Sequence, residues 1–328
     1  MDFELVLHRP IETTALIRHV ENNLFYTRLG PKAVVMSSEE LDSVASLLRR
    51  GLVGRFRLPV RLARSPGLLI LGGAEGGLES ADDIAVQFVA EGFATLAIAY
   101  FGAPSLPSML GEIPLEYFHK AVEWLCKAPG VDSERVGIVG NSKGAEAALL
   151  IAATSPEVRA VVAYVPSHVA WQALNWKSPP QSSWTYRGSP VPFVRYVRAE
   201  DRIQREGLRG FYLASLEADT NAVRAAEIPV EMTRGGILLI SSGMDAVWPS
   251  SKMARSIIER LRANGFAYTF EHLDYPDAGH AIVGLANVPA TVKTTSGELH
   301  FGGTDAANAS ARVDAWSQAL RFLRSELG

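Results

Sequence analysis

The stretch Gly140-Asn141-Ser142-Lys143-Gly144 sets a serine between glycines, after the apolar run Val136–Val139 and before the alanine-rich stretch Ala145–Ala153. A strand, a tight turn and a helix in that order hold a hydroxyl out on a strained corner, where it can attack a carbonyl carbon. The amide of the next residue, Lys143, then points at the oxygen that turns negative during attack. A serine needs a base to take its proton, and the base needs an acid to fix its tautomer. Downstream, the strand-like Gly236–Ile240 runs into Ser241-Ser242-Gly243-Met244-Asp245, and a later one ends in Tyr275-Pro276-Asp277-Ala278-Gly279-His280. Serine, then acid, then histidine is the chain order expected around such a corner, so Ser142, Asp245 and His280 are the expected nucleophile, acid and base.

The other histidines are placed less well. His272 falls mid-strand, His300 in a late loop and His168 at the start of an irregular segment, while His8, His19 and His119 precede the serine. Asp277 reads as a turn residue close to His280. A second oxyanion amide is expected from the glycine turn Leu71-Gly72-Gly73-Ala74-Glu75-Gly76-Gly77, at Gly73 and Ala74. Such a turn also suits a phosphate, but no Lys-Ser/Thr pair follows it. Cys126 falls with Phe118, Ala121, Val122 and Leu125 at helical spacing and is expected on a buried face. A single cysteine and scattered histidines give no metal-ligand spacing, and no cofactor is expected.

The elements that must position these residues alternate from about residue 67 onward. Candidate strands are Gly67–Gly73, Phe93–Tyr100, Val136–Gly140, Val158–Val165, Gly236–Ser242 and Tyr268–Tyr275. Candidate helices are Ala81–Glu91, Leu115–Lys127, Lys143–Ala153, Ser251–Ala263 and Ala311–Leu327. That rhythm is a mostly parallel sheet with helices on both faces, and with the serine corner it specifies the α/β-hydrolase fold over 67–328. The span 166–234, rich in Trp, Pro, Ser and Arg, interrupts the rhythm and is expected as a lid. Its basic excess (Lys177, Arg187, Arg195, Arg198, Arg202, Arg205 and Arg209 against Glu200, Asp201 and Glu206) reads as a solvated face that could also meet phosphates. Residues 1–66 are expected as an N-terminal extension with edge strands: Phe3–Leu7 and Ala33–Met36 as strands, Ser38–Arg50 as a helix, and Gly54–Ala63 as a strand entering the main domain. The 328 residues, 48% of them hydrophobic, suffice for a large core, and a net charge of −3 points to a small-molecule substrate rather than nucleic acid or a membrane. With no basic-then-apolar start and no apolar run of roughly 20 residues, a soluble cytoplasmic protein is expected.

Several ordered motifs resemble the acyl-CoA thioesterase and bile acid-CoA:amino acid N-acyltransferase family. They are Gly140-Asn141-Ser142-Lys143-Gly144-Ala145-Glu146, Leu96-Ala97-Ile98-Ala99-Tyr100-Phe101-Gly102, Ser183-Trp184-Thr185-Tyr186-Arg187-Gly188, Trp248-Pro249-Ser250 and Tyr275–His280. The resemblance covers about 54–328 and implies Ser142, Asp245 and His280 as the family's triad. The chain departs from the family at Asn141, usually apolar, and in Ala281–Ala286, where a proline-rich segment is usual. It is also too short to contain in full the β-sandwich domain of animal members. Family members that acylate amino acids typically use cysteine as nucleophile. A serine ester favours water, so the resemblance implies hydrolysis of an acyl-CoA or related thioester first. A carboxylesterase or dienelactone-hydrolase-like activity comes second, and amino-acid N-acyltransfer third.

Overall fold

The computed structural model describes residues 16–21, 24–28, 33–60, 64–175, 177–294 and 297–328. The expected strand Phe3–Leu7 lies outside them. Strands β1 (Leu16–Glu21), β2 (Leu24–Arg28) and β3 (Ala33–Ser37) form an antiparallel sheet that leads into helix α1 (Ser38–Arg49). Then come β4 (Val53–Arg57), β5 (Ser65–Leu71), α2 (Glu79–Ala90), β6 (Ala94–Ala99) and the short β7 (Ile113–Pro114). Helix α3 (Leu115–Lys127), β8 (Val131–Asn141), α4 (Lys143–Ala152) and β9 (Val158–Tyr164) follow. The next stretch holds β10 (Trp184–Tyr186), β11 (Ser189–Pro190), α5 (Glu200–Ala218) and α6 (Thr220–Ala226). Strand β12 (Gly236–Ser242), α7 (Ser250–Ala263), β13 (Phe270–Tyr275), the hairpin of β14 (Thr291–Thr294) and β15 (Gly297–His300), and α8 (Asp305–Leu327) complete the order.

Seven strands make the main sheet, in the order β13-β12-β9-β8-β5-β6-β4, all neighbours parallel except β4 against β6. The inner strands are apolar where helices cover both faces; β8 carries the polar Asp132–Arg135 near its start and turns apolar from Val136. Leu69, Leu71, Ile138, Val161 and Leu239 face α3, α4 and α7, while their neighbours Leu68, Ile70, Val139, Val162 and Leu238 face α2 and α8. This is the α/β-hydrolase fold. No helix among the described residues is long and apolar enough to cross a membrane.

Residues 1–66 do not separate cleanly from the main domain. Strand β4 closes one edge of the main sheet, and Leu47, Leu52 and Phe56 lie in the same buried cluster as α3, so the main layers reach back to α1. In the 166–234 span, Trp171, Tyr212 and Leu216 form a small core that is continuous with Trp248 and Met253 of the main domain. Helix α5 is broken at Gly207, whose φ of 60° departs from the helical region.

Candidate active site

The chain runs from β5 to β6 on one side and returns to β8 on the other, so the strand order reverses between β5 and β8. In open α/β sheets the crevice at the carboxyl ends of such strands is where ligands bind. Ser142 follows β8 and the glycine turn follows β5, which brings both loops to that point. Ser142 has φ 55° and ψ −117°, a conformation rare for a residue with a side chain. The flanking glycines are a steric requirement. A methyl group at Gly140 would lie 2.2 Å from the Gly144 carbonyl oxygen, and one at Gly144 would lie 2.2 Å from that of Gly72.

Ser142, His280 and Asp245 meet in one chain of hydrogen bonds. His280 Nε2 is 2.9 Å from Ser142 Oγ, and Nδ1 is 2.9 Å from Asp245 Oδ2. An ionised carboxylate only accepts, so Nδ1 carries the proton and Nε2 is left to accept from the serine hydroxyl. All three side chains are buried, Asp245 completely. Asp245 Oδ1 accepts the amides of Val247 and Trp248 at 2.9 and 3.1 Å, which fixes the carboxylate's orientation. Trp248 packs edge-on to the imidazole, and Phe301 stacks over it while its carbonyl accepts the His280 amide at 2.7 Å. From α5, Arg209 Nη1 donates to the carbonyls of Gly243 and Asp245 at 2.9 and 3.3 Å, tying the 166–234 span to the acid's loop.

The expected oxyanion residues are divided by the structure. Lys143 opens α4, and the first N–H groups of a helix have no partner within it, so its amide is free to meet a ligand. Ala74 faces the crevice beside Ser142. The Gly73 amide, by contrast, donates to Glu75 Oε1 at 2.8 Å. The turn folds its own carboxylate back onto that donor, which leaves Ala74 and Lys143 as the amides to hand. The Lys143 side chain points away into the protein. Its Nζ donates to Glu146 Oε2 at 2.6 Å and to Ser183 Oγ at 3.0 Å. Glu146 Oε1 accepts from the Trp171 amide at 3.0 Å and from Trp184 Nε1 at 2.6 Å. Burial pushes the Lys143 ammonium below its ordinary value, and Glu146 opposes that shift.

Comparison with known proteins agrees with this architecture. The family model described as BAAT / Acyl-CoA thioester hydrolase C terminal matches residues 113–328. The chain belongs to this family. Mouse acyl-coenzyme A thioesterase 2, mitochondrial, is 30% identical over 315 residues, covering 91% of this chain and 65% of its own length. Mouse acyl-coenzyme A thioesterase 6 is 31% identical over 273 residues, covering 82% of this chain and 62% of its own length. The chain therefore spans a little under two thirds of these relatives. A puromycin-hydrolyzing peptidase of Mycobacterium tuberculosis shares the fold at a TM-score of 0.54 and 14% identity, over 84% of this chain and 37% of the other.

In this BAAT-family chain Ser142 opens onto a cavity of about 580 Å³. Its apolar lining comes from Leu174, Leu208, Phe211 and Tyr212 of the 166–234 span and from Val283 and Phe301 of the loops around His280. Ala74, Glu75, Ser80 and Asn141 line it as well. Other histidines among the described residues lie elsewhere. His272 Nε2 donates to Ser241 Oγ, which donates in turn to Asp274, at the sheet's edge. His119 bonds Thr154, and His300 is exposed on β15 beside Thr291. Asp277 is exposed in its turn. Cys126 is half-buried against the main core, and burial pushes its thiol up to about 11, away from nucleophilic use. Sequence reasoning missed Glu75, Arg209 and the Glu146 network. Only the i,i+3 spacing of Lys143 and Glu146 was a signal, and it does not say which residues surround the pair.

Proposed function

We propose that this chain hydrolyses acyl-CoA thioesters through a serine acyl-enzyme. The hydrogen-bonded run from Ser142 through His280 to Asp245, opening onto a mostly apolar cavity, carries the reading; membership of a family whose relatives are named acyl-CoA thioesterases supports it. His280 Nε2 takes the hydroxyl proton as Ser142 Oγ bonds the thioester carbonyl carbon. The carbonyl electron pair moves onto oxygen, where the amides of Lys143 and Ala74 hold it. The intermediate collapses, the C–S bond breaks, and the thiol leaves with the proton from His280. Water then attacks the Ser142 ester, giving up a proton to His280 in the same way, and the acid departs with Ser142 restored. Asp245 holds the tautomer and supports the imidazolium in both halves. The 166–234 span acts as the lid of this site, lending its apolar wall to the acyl chain. Water is the acceptor because an ester reacts less readily with amines than a thioester does.

The test is a screen of acyl-CoAs, p-nitrophenyl esters and lactones of graded chain length, with product analysis in the presence of glycine or taurine. Thiol release from acyl-CoA with free acid as the product is expected. Fast ester cleavage with no acyl-CoA turnover would replace this reading with a carboxylesterase, and dominant amide product at millimolar amine with an acyltransferase.

A further inference from the structure

The cavity has one charge that nothing neutralises. Glu75 lines it, and the carboxylate accepts from the Gly73 amide, with no ion pair among the described residues. Lys143, the one Lys or Arg side chain among the lining residues, is turned into the protein and bonded to Glu146. The carboxylate is also close to the reacting atom. A methyl group added at Gly73 would touch Glu75 Oε2 at 2.7 Å and Ser142 Cβ at 3.3 Å together. Leu208, Phe211 and Tyr212, which also line the cavity, offer no cation to a second anion.

We propose that Glu75 is a specificity-determining residue that filters acyl groups by charge, admitting uncharged chains and turning away those that end in a second carboxylate. The proposal rests on the thioesterase reading and narrows its substrate class to thioesters of monocarboxylic acids. An incoming carboxylate meets a like charge beside the serine; Glu75 is itself solvent-exposed, so the repulsion is that of two charges with water at hand. The filter works through charge, so its contribution to selectivity falls as salt screens it. The terminal carboxylate of a short diacyl chain is subject to it most.

The experiment compares kcat/KM for pentanoyl-CoA and glutaryl-CoA, acyl groups of equal length, in the unmodified protein and in Glu75→Gln, at low and high salt. Glutamine keeps an oxygen for the Gly73 amide, so the turn is retained. The preference for pentanoyl-CoA is expected to shrink about threefold to fivefold in the variant. It is expected to shrink with added salt in the unmodified protein only. An unchanged ratio overturns the proposal, and so does an equal change in both rates, which would mean that Glu75 acts on the oxyanion instead. If neither CoA ester is turned over, the thioesterase reading fails separately. The filter is then read from Ser142 labelling by an alkyl fluorophosphonate and by its ω-carboxylated counterpart, where equal labelling rates in the unmodified protein overturn it.

Discussion

Ser142 is the proposed nucleophile, and its replacement separates reaction from fold. Ser142→Ala removes the attacking oxygen while the elbow keeps a small side chain, so turnover is expected to fall by roughly 10⁴ to 10⁶ with an unchanged melting temperature. Asp245→Asn is expected to lower kcat by about 10⁴, since the amide no longer fixes the Nδ1–H tautomer of His280; Asp277→Asn, exposed in its turn, is expected to leave the rate intact. Steady-state assays of the three variants check both statements. His168 supplies a stability test instead. Burial, aided by Lys252, lowers its pKa from 6.5 to about 4, so the unfolded chain binds the proton more readily than the folded one. Its contribution is complete above about pH 6.5 and is lost as pH falls toward 4, on the order of 2 kcal/mol, and His168→Gln should flatten that slope in urea unfolding at pH 4.5 and 7. Ser142 and Asp245 were legible as candidates because each follows an apolar run, Val136–Gly140 and Gly236–Ile240, while His280 was picked out by the turn Tyr275–Gly279 after a half-exposed strand. Glu75 was not, since only the folded turn brings its carboxylate back to Gly73 beside Ser142.

At the scale of elements, α4 is joined to the 166–234 span by charge. Lys143 and Glu146 lie one turn apart, almost wholly buried, with every bond outside the pair going to Trp171, Ser183 or Trp184. A buried pair of this kind is costly to break and inexpensive to replace whole. Glu146→Ala strands the ammonium and is expected to destabilise the fold by roughly 3–5 kcal/mol, whereas Lys143→Met with Glu146→Gln removes both charges, keeps an oxygen for the Trp171 amide and Trp184 Nε1, and is expected to cost less than the single variant. Urea titrations of the single and double variants measure the difference. The helix itself was readable from its alanine-rich run, but its buried partners come from some 25 to 40 residues away in sequence, across irregular chain that carries no periodicity. The strands show the same division. β5, β12 and the Val136–Gly140 half of β8 are buried on both faces and stand out. β13, at the edge and half-exposed, begins at Phe270 rather than at the expected Tyr268, because its one neighbour, β12, starts at Gly236 and pairs from Ile237 with Phe270 onward.

For the molecule as a whole, the consequence lies at the other edge of the sheet. The strand expected to enter the main domain before residue 67 is β4, whose five residues are too few to carry a strong sequence pattern. In the structure β4 pairs with β6 along its full length, Phe56 is buried in the core with Leu47 and Leu52, and Arg55 and Arg57 both bond Asp82 of α2. Those ties close the edge strand and join the sheet to its outer helix. Removal of residues 1–57 would bare the unpaired backbone of β6 and the apolar surface under Phe56, the conditions for edge-to-edge aggregation. That truncation is expected to be insoluble or to lose its cooperative thermal transition. A truncation ending at residue 37 keeps α1, β4 and the Asp82 contacts, and is expected to melt cooperatively and still label at Ser142 with a fluorophosphonate. Circular dichroism melts and labelling of the two truncations decide the matter: a cooperative, labelled protein lacking β4 would show that the hydrolase layers begin at β5, not at α1.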